Sequence, residues 1–186
     1  MVKVLCVIDV QKDFIDGSLG TKEAQAALPN IVEKIKNWKW FTITTMDTHH
    51  HDYLSTHEGK KLPVVHCEYN TEGWNMPKSV QDALEDSAYL GRCCKNTFGS
   101  LNKHNAPAFY ADDLVGKIEA VAGGKDLEII LVGFCTDICV VSNALILRAY
   151  FPNATIKVDS TCCAGTTPQM HIKALDVMKS CQIEII

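Results

Sequence analysis

The segment Gly133-Phe-Cys-Thr-Asp-Ile-Cys-Val140 holds two thiols at a place where a chain can make a nucleophile. An apolar run, 127–132, precedes it and reads as a buried strand. The apolar stretch from Val140 to Phe151 reads as a helix. Strand, sharp turn and helix put Cys139 in the helix's first turn. Unpaired N–H groups and the positive end of the helix dipole favour a thiolate there. The same N–H groups could hold the oxyanion formed when that thiolate attacks a carbonyl. The plainer alternative is that Cys139 is one more buried thiol in a chain with nine cysteines.

Other chemistry-bearing residues follow other expected strands. Asp9 closes the first, in Val7-Ile-Asp-Val-Gln-Lys-Asp-Phe14, and Lys95 follows another, in Cys94-Lys-Asn-Thr-Phe98. A cysteine nucleophile must lose its proton, so it needs a base and a cation to hold the thiolate. Asp9 can be the base if burial raises its pKa, and Lys95 can orient Asp9 and stabilise the thiolate. Asp47-x-His49, followed by Glu58 and His66, offers two carboxylates and two imidazoles within one loop. That donor set suits a divalent transition ion such as Zn, Mn or Fe, with water completing the shell. Singly, Asp9 could equally cap a helix, Lys95 lie on the surface, and the histidines belong to a solvated loop. Their shared position after strands argues for one site.

The elements that must position these groups alternate. Val2 to Ile8 is a continuous apolar run suited to a strand buried on both faces. Ala24 to Trp38 carries Leu28, Ile31, Val32 and Ile35 at helical spacing, with Pro29 expected in its first turn. Strands are expected at 41–46, 87–94, 154–158 and 182–186, and helices at 77–86, 111–122 and 168–180. Gly123-Gly124 closes the helix before the 127–132 strand. The alternation predicts an α/β fold: one parallel sheet with helices on both faces, in a single domain over 1–186. Ligands of such sheets bind beyond the carboxyl ends of the strands. The long irregular stretch 47–76 is expected to be functional.

Composition removes other classes. The chain has 186 residues, 47% hydrophobic and 22% charged, with formal charge −4, which gives no reason to expect a nucleic-acid or membrane partner. The N-terminus enters a strand directly, without a signal-peptide layout. An odd cysteine count and two adjacent pairs, Cys93-Cys94 and Cys162-Cys163, argue against a disulfide framework and for a reducing cytoplasm. No pair has CxxC spacing. A homo-oligomer is compatible with everything in the sequence.

In these contexts and this order, Asp9, Lys95 and Cys139 resemble the Asp–Lys–Cys triad of the isochorismatase-like cysteine hydrolases. That superfamily includes nicotinamidases and N-carbamoylsarcosine amidases. The resemblance runs from Ile8-Asp-Val-Gln-Lys-Asp-Phe14 to the last strand, and Thr136-Asp-Ile-Cys139 is its most specific motif. It implies a Rossmann-like three-layer fold, a cis peptide bond between Phe134 and Cys135, and an oxyanion hole built from the N–H groups of Cys135 and Cys139. It also implies a metal loop of nicotinamidase type. Within it the spacing favours Glu58 beside Asp47, His49 and His66; His57 and His51 compete with Glu58, and His50 reads as solvated. Pro63 does not directly precede His66, a departure from the family's Pro-His-Cys element.

The implied activity is hydrolysis of a C–N bond in a linear amide, nicotinamide in the nicotinamidase-like branch. Phe14 and Trp74 could sandwich an aromatic ring or serve as ordinary core aromatics. The alternatives are another small amide or ureide with the same triad, and a catalytically silent binding protein. Isochorismate hydrolysis fits less well, because a vinyl ether has no carbonyl for a cysteine to attack.

Overall fold

The computed structural model describes residues 1–101 and 112–186. Six parallel strands form one sheet in the order β3-β2-β1-β4-β5-β6. They are β1 Val2–Ile8, β2 Phe41–Asp47, β3 Ala88–Lys95, β4 Leu127–Phe134, β5 Thr155–Ala164 and β6 Glu184–Ile185. The helices are α1 Lys12–Ile15, α2 Lys22–Asn37, α3 His57–Lys61, α4 Lys78–Glu85, α5 Leu114–Ala122, α6 Val141–Tyr150 and α7 Pro168–Ser180.

Side-chain alternation along the central strands divides the core into two layers. Val4, Cys6 and Ile8 of β1, with Ile129 and Leu131 of β4, face α5, α6 and α7 through Ile118, Leu147 and Met178. Leu5 and Val7, with Ile130, Val132 and Phe134, face α1, α2 and α4 through Ile15, Ile31, Ile35 and Val80. Both faces of β1 and β4 are therefore dry, which is why their sequences read as unbroken apolar runs. Chain direction across the sheet reverses between β1 and β4. In doubly wound sheets the crevice opens at that point, at the carboxyl ends of the strands.

Several boundaries differ from the sequence expectation. Helix α2 begins at Lys22, capped by the Thr21 hydroxyl accepting from Ala24 N–H at 3.0 Å, so Pro29 lies inside the helix rather than in its first turn. The α2 face formed by Ala24, Ala27, Ile31 and Ile35 is buried, and tertiary packing overrides the cost of an interior proline, about 3 kcal/mol. Strand β5 runs well past residue 158. Its ladder jumps from Leu131–Val158 to Gly133–Cys163, and the bulge is polar. Asp159 braces it, pairing with Lys34 at 2.6 Å and accepting from Thr161 N–H at 3.1 Å. The stretch 47–76 includes a 3-10 turn, Tyr53–Ser55, and α3. Helix α5 starts at Leu114, while Ala111, its expected first residue, lies outside the described residues. Gly123 ends α5 in the left-handed conformation, φ 52°, as its sequence position requires.

Candidate active site

Asp9 leaves β1 with φ 48°, in the left-handed region that a non-glycine residue adopts at some cost. The turn is held by Thr45: Asp9 N–H donates to the Thr45 carbonyl at 3.2 Å, and the Thr45 hydroxyl donates to Asp9 Oδ1 at 2.6 Å. Gly133, φ 120°, lies beside it in β4. A Cβ there would run into the Ile8 carbonyl, so only glycine lets the ends of β1 and β4 approach this closely.

Lys95 is the last residue of β3, and it is buried. Its Nζ lies 2.6 Å from Asp9 Oδ2, 3.6 Å from Asp47 Oδ1 and 3.5 Å from Cys139 Sγ. One ammonium therefore ties together the ends of β1 and β2 and the segment after β4. Burial works against its charge, but Asp9, Cys139 and Asp47 outweigh burial and raise its pKa well above the ordinary lysine range. Burial raises the Asp9 carboxyl; Lys95 opposes that rise and Asp47 adds to it. Burial also raises the Cys139 thiol, with Lys95 pulling it down and Asp9 and Asp47 pushing it up.

Cys139 sits one turn earlier than expected, in a π turn, Thr136–Val140, that precedes α6. The N–H groups of Ile138 and Val140 both donate to the Cys135 carbonyl, at 3.1 and 3.0 Å. The wider turn is stitched to its surroundings by side chains. The Thr136 hydroxyl pairs with His171 Nδ1 at 2.8 Å, and Asp137 accepts from Thr166 N–H at 2.8 Å and Oγ1 at 2.6 Å. The Phe134–Cys135 peptide bond is cis. Burial first, then Asp137, pushes the Cys135 thiol up to about 12.

Asp47, the last residue of β2, begins a second cluster. Its Oδ2 lies 3.1 Å from His49 Nε2 and 3.4 Å from His66 Nε2. Glu58 Oε1, on α3, lies 3.7 Å from the first nitrogen and 4.0 Å from the second. His66 Nδ1 faces the Val64 carbonyl at 2.8 Å. A carbonyl can only accept, so His66 Nδ1 carries a hydrogen, and Nε2 is the atom turned toward the two carboxylates. Ligand atoms of Asp47, His49 and His66, all buried, lie within 4.8 Å of one another, a carboxylate and two imidazoles converging on one point. The residues fit a divalent metal, and the buried outer bond from His66 to Val64 is the orientation such ligands need. Burial would raise Asp47, yet Lys95, His49 and His66 hold its carboxyl well below the usual carboxylate range. Tyr53 packs on both imidazoles, with ring centres 4.4 Å from His49 and 5.0 Å from His66. Nothing in the sequence marks Tyr53 for this role.

Cys139 and the Asp47 cluster open onto one cleft of about 1110 Å³. Phe14, Tyr53, Leu62, Phe98 and Ile138 give it apolar walls, and Cys135 reaches it beside Cys139. Glu58 and His57 both line it; His57 is exposed, and His51 does not reach it. His50 lines the rim and packs against Tyr69 at 5.9 Å. Phe14 and Trp74 do not face each other across the cleft. Phe14 lines it, while Trp74 is buried behind it, its indole N–H donating to the Thr48 hydroxyl at 2.9 Å and its ring covered by Arg92 at 5.0 Å. Of the two readings the sequence left open, Trp74 therefore follows the core aromatic and not the sandwich: a buried indole takes a hydrogen-bond partner, and here that partner holds the ring behind the cleft wall.

The protein-family model of the isochorismatase domain matches residues 3–186. A nicotinamidase of Schizosaccharomyces pombe is 28% identical, the match covering 98% of this chain and 91% of that protein. A nicotinamidase/pyrazinamidase structure from Bacillus subtilis superposes with a TM-score of 0.75 at 22% identity, covering 100% of this chain and 99% of that one. A zinc-complexed pyrazinamidase structure from Pyrococcus horikoshii gives 0.72 at 23% identity, with 100% and 99% covered. With its strand order, its strand-end cluster and a family match along nearly its whole length, the chain belongs to the isochorismatase family.

Proposed function

We infer that the protein is a cysteine amidohydrolase, and that its substrate is nicotinamide, converted with water to nicotinate and ammonia. The observation that carries this reading is buried Lys95 Nζ standing between Asp9 and Cys139, at 2.6 and 3.5 Å, with Cys139 opening onto a cleft that Asp47, His49 and His66 also line. The names of the similar proteins support the amide class.

Asp9 takes the proton of the Cys139 thiol, a transfer helped by the upward shift that burial gives Asp9. The thiolate attacks the amide carbon, and the resulting oxyanion rests on the N–H groups of Cys135 and Cys139. Asp9 returns its proton to the leaving nitrogen, ammonia departs, and a thioester remains on Cys139. Asp9 then takes a proton from water, which hydrolyses the thioester and restores the thiol. Lys95 keeps its charge throughout and offsets negative charge first on Asp9 and then on sulfur. Asp47, His49 and His66, with Glu58 beside them, would hold a divalent ion, zinc by preference, which when bound supplies a Lewis-acid contact for a ring nitrogen.

The test is ammonia release from nicotinamide and from benzamide by metal-loaded enzyme, with Cys139→Ala as control. Benzamide has the same shape without the ring nitrogen, so kcat/KM should favour nicotinamide by several orders of magnitude. Turnover of another small amide alone keeps the chemistry and changes the substrate. No turnover of any amide overturns the reading.

A further inference from the structure

Asn143 is fully buried on α6, one helical turn after Cys139, and both its donors and its oxygen are engaged. Its amide nitrogen donates to the Cys139 carbonyl at 2.8 Å and to the Phe98 carbonyl at 3.2 Å, and its oxygen accepts from Ser100 N–H at 2.9 Å. Ser100 is itself buried, and its hydroxyl accepts from Leu114 N–H at the start of α5, at 3.1 Å. Between them lies Gly99, where a Cβ would strike the Ile146 side chain, so the segment lies flat on α6. This segment leaves β3 just after Lys95. One side chain therefore joins the element carrying the thiol to the element carrying its ammonium.

The join also fixes an apolar wall. Phe98 is 47% exposed, an unfavourable place for a free phenyl ring, yet it lines the cleft with Ile138 and Cys139. Its main chain is anchored to the helix that follows Cys139, so the backbone from which the ring enters the cleft is held in place. We propose that Asn143 is a positioning residue and Phe98 a specificity-determining residue: Asn143 locks the Phe98–Ser100 segment onto the turn carrying Cys139, and Phe98 then selects planar aromatic over alkyl groups next to that sulfur. The proposal deepens the amidohydrolase reading, on which only its substrate language rests.

The experiment reads the wall without requiring turnover. Cys139 is alkylated with N-phenyliodoacetamide or with iodoacetamide; a C–S bond forms and iodide leaves in both cases. Peptide mass spectrometry gives the ratio of the two rates at Cys139, relative to the ratio for free cysteine. Wild-type protein should prefer the aryl reagent by about tenfold, the scale of one well-formed aromatic contact. Phe98→Ala, at a half-exposed position that folding tolerates, should bring the ratio to within about twofold of free cysteine. Asn143→Ala should do the same although Phe98 is still present. If that variant does not fold, Asn143→Asp keeps the size and the acceptor for Ser100 but loses both donors. Amide kinetics on the same proteins should show KM for an aromatic amide rising about tenfold in Phe98→Ala, with kcat within about twofold. An unchanged alkylation ratio in Phe98→Ala, or none in the wild type, overturns the wall. A lost ratio in Phe98→Ala with an unchanged ratio in the folded Asn143 variants overturns the positioning role. A changed ratio in a protein that cleaves no amide leaves this inference standing and removes the amidohydrolase reading.

Discussion

Gln11 holds the main chain of Asp47 from both sides: its amide nitrogen donates to the Asp47 carbonyl at 2.8 Å, and its oxygen accepts from Asp47 N–H at 2.8 Å. The same nitrogen reaches the Trp74 carbonyl at 2.9 Å, and the side chain is fully buried. A residue just beyond β1 thus sets the height of the carboxylate at the end of β2. Gln11→Met, of similar size but without the bonds, should weaken divalent-metal affinity about 10–100-fold, as losses of outer orienting partners do. Calorimetric titration of the metal-free protein with zinc checks it; unchanged affinity would show that β2 positions Asp47 unaided.

Cys139→Ala should lower kcat by at least about a thousandfold, because it removes the thiol in contact with Lys95. Cys135→Ala should stay within about tenfold of wild type, since in the proposed mechanism Cys135 serves through its backbone N–H, and the Lys95 ammonium contacts Cys139. Comparable activity in the two variants would reassign the nucleophile.

Lys95→Met removes the counter-charge of a buried carboxylate. Breaking such a pair costs about 3–5 kcal/mol and should lower Tm by about 10 °C in a domain of this size. Pairing it with Asp9→Asn should recover part of that loss while activity remains absent. Calorimetric scans of the wild type, the two single variants and the double variant give the comparison, and full additivity of the two losses would count against direct coupling.

Removing metal should abolish most activity and leave the fold intact, because both core layers close without the Asp47 cluster. Circular dichroism and metal analysis before and after chelation, with zinc added back, separate the two effects. Full activity in verified metal-free protein would make the cluster a structural brace.

His171 provides a pH signature. Burial lowers its pKa below the ordinary 6.5, with Asp137 opposing. The unfolded ring takes up a proton near that pH while the folded ring still refuses it. The unfolded state then binds more protons, so His171 costs stability as pH falls below about 6.5 until the folded ring also titrates. His171→Asn keeps a polar atom for Thr136 and has no such proton. Denaturant midpoints at pH 7.5 and 5.5 should fall further in the wild type than in the variant; parallel losses would remove His171 as the cause.

The sheet was legible because central strands buried on both faces leave unbroken apolar runs, as in β1 before Asp9 and in β4, and the β-branched β2 and the mixed β3 could be placed beside them, ending at Asp47 and Lys95. What escaped was held by single side chains rather than by period. The length of β5 depends on Asp159 satisfying a polar bulge. The start of α2 depends on the Thr21 hydroxyl. Trp74 was legible as an aromatic near the site, but its direction depends on Thr48. Gln11 and Asn143 carry no signal at all, because a buried amide bonded to main chain has no required spacing from the groups it joins.

The two halves of the site are written differently into the chain. Asp47, His49, Glu58 and His66 fall within a single stretch of twenty residues, whereas Asp9, Lys95 and Cys139 come from separate strands far apart in sequence. Replacing that one stretch would delete or rebuild the Asp47 cluster as a cassette, with Asp47 itself, 3.6 Å from Lys95, the one member that also touches the thiol's partners. No exchange of a single segment can move the thiol half, which depends on the sheet itself. Descendants of this architecture can therefore change what they recognise in one recombination event, while the bond-breaking chemistry drifts only by point substitution.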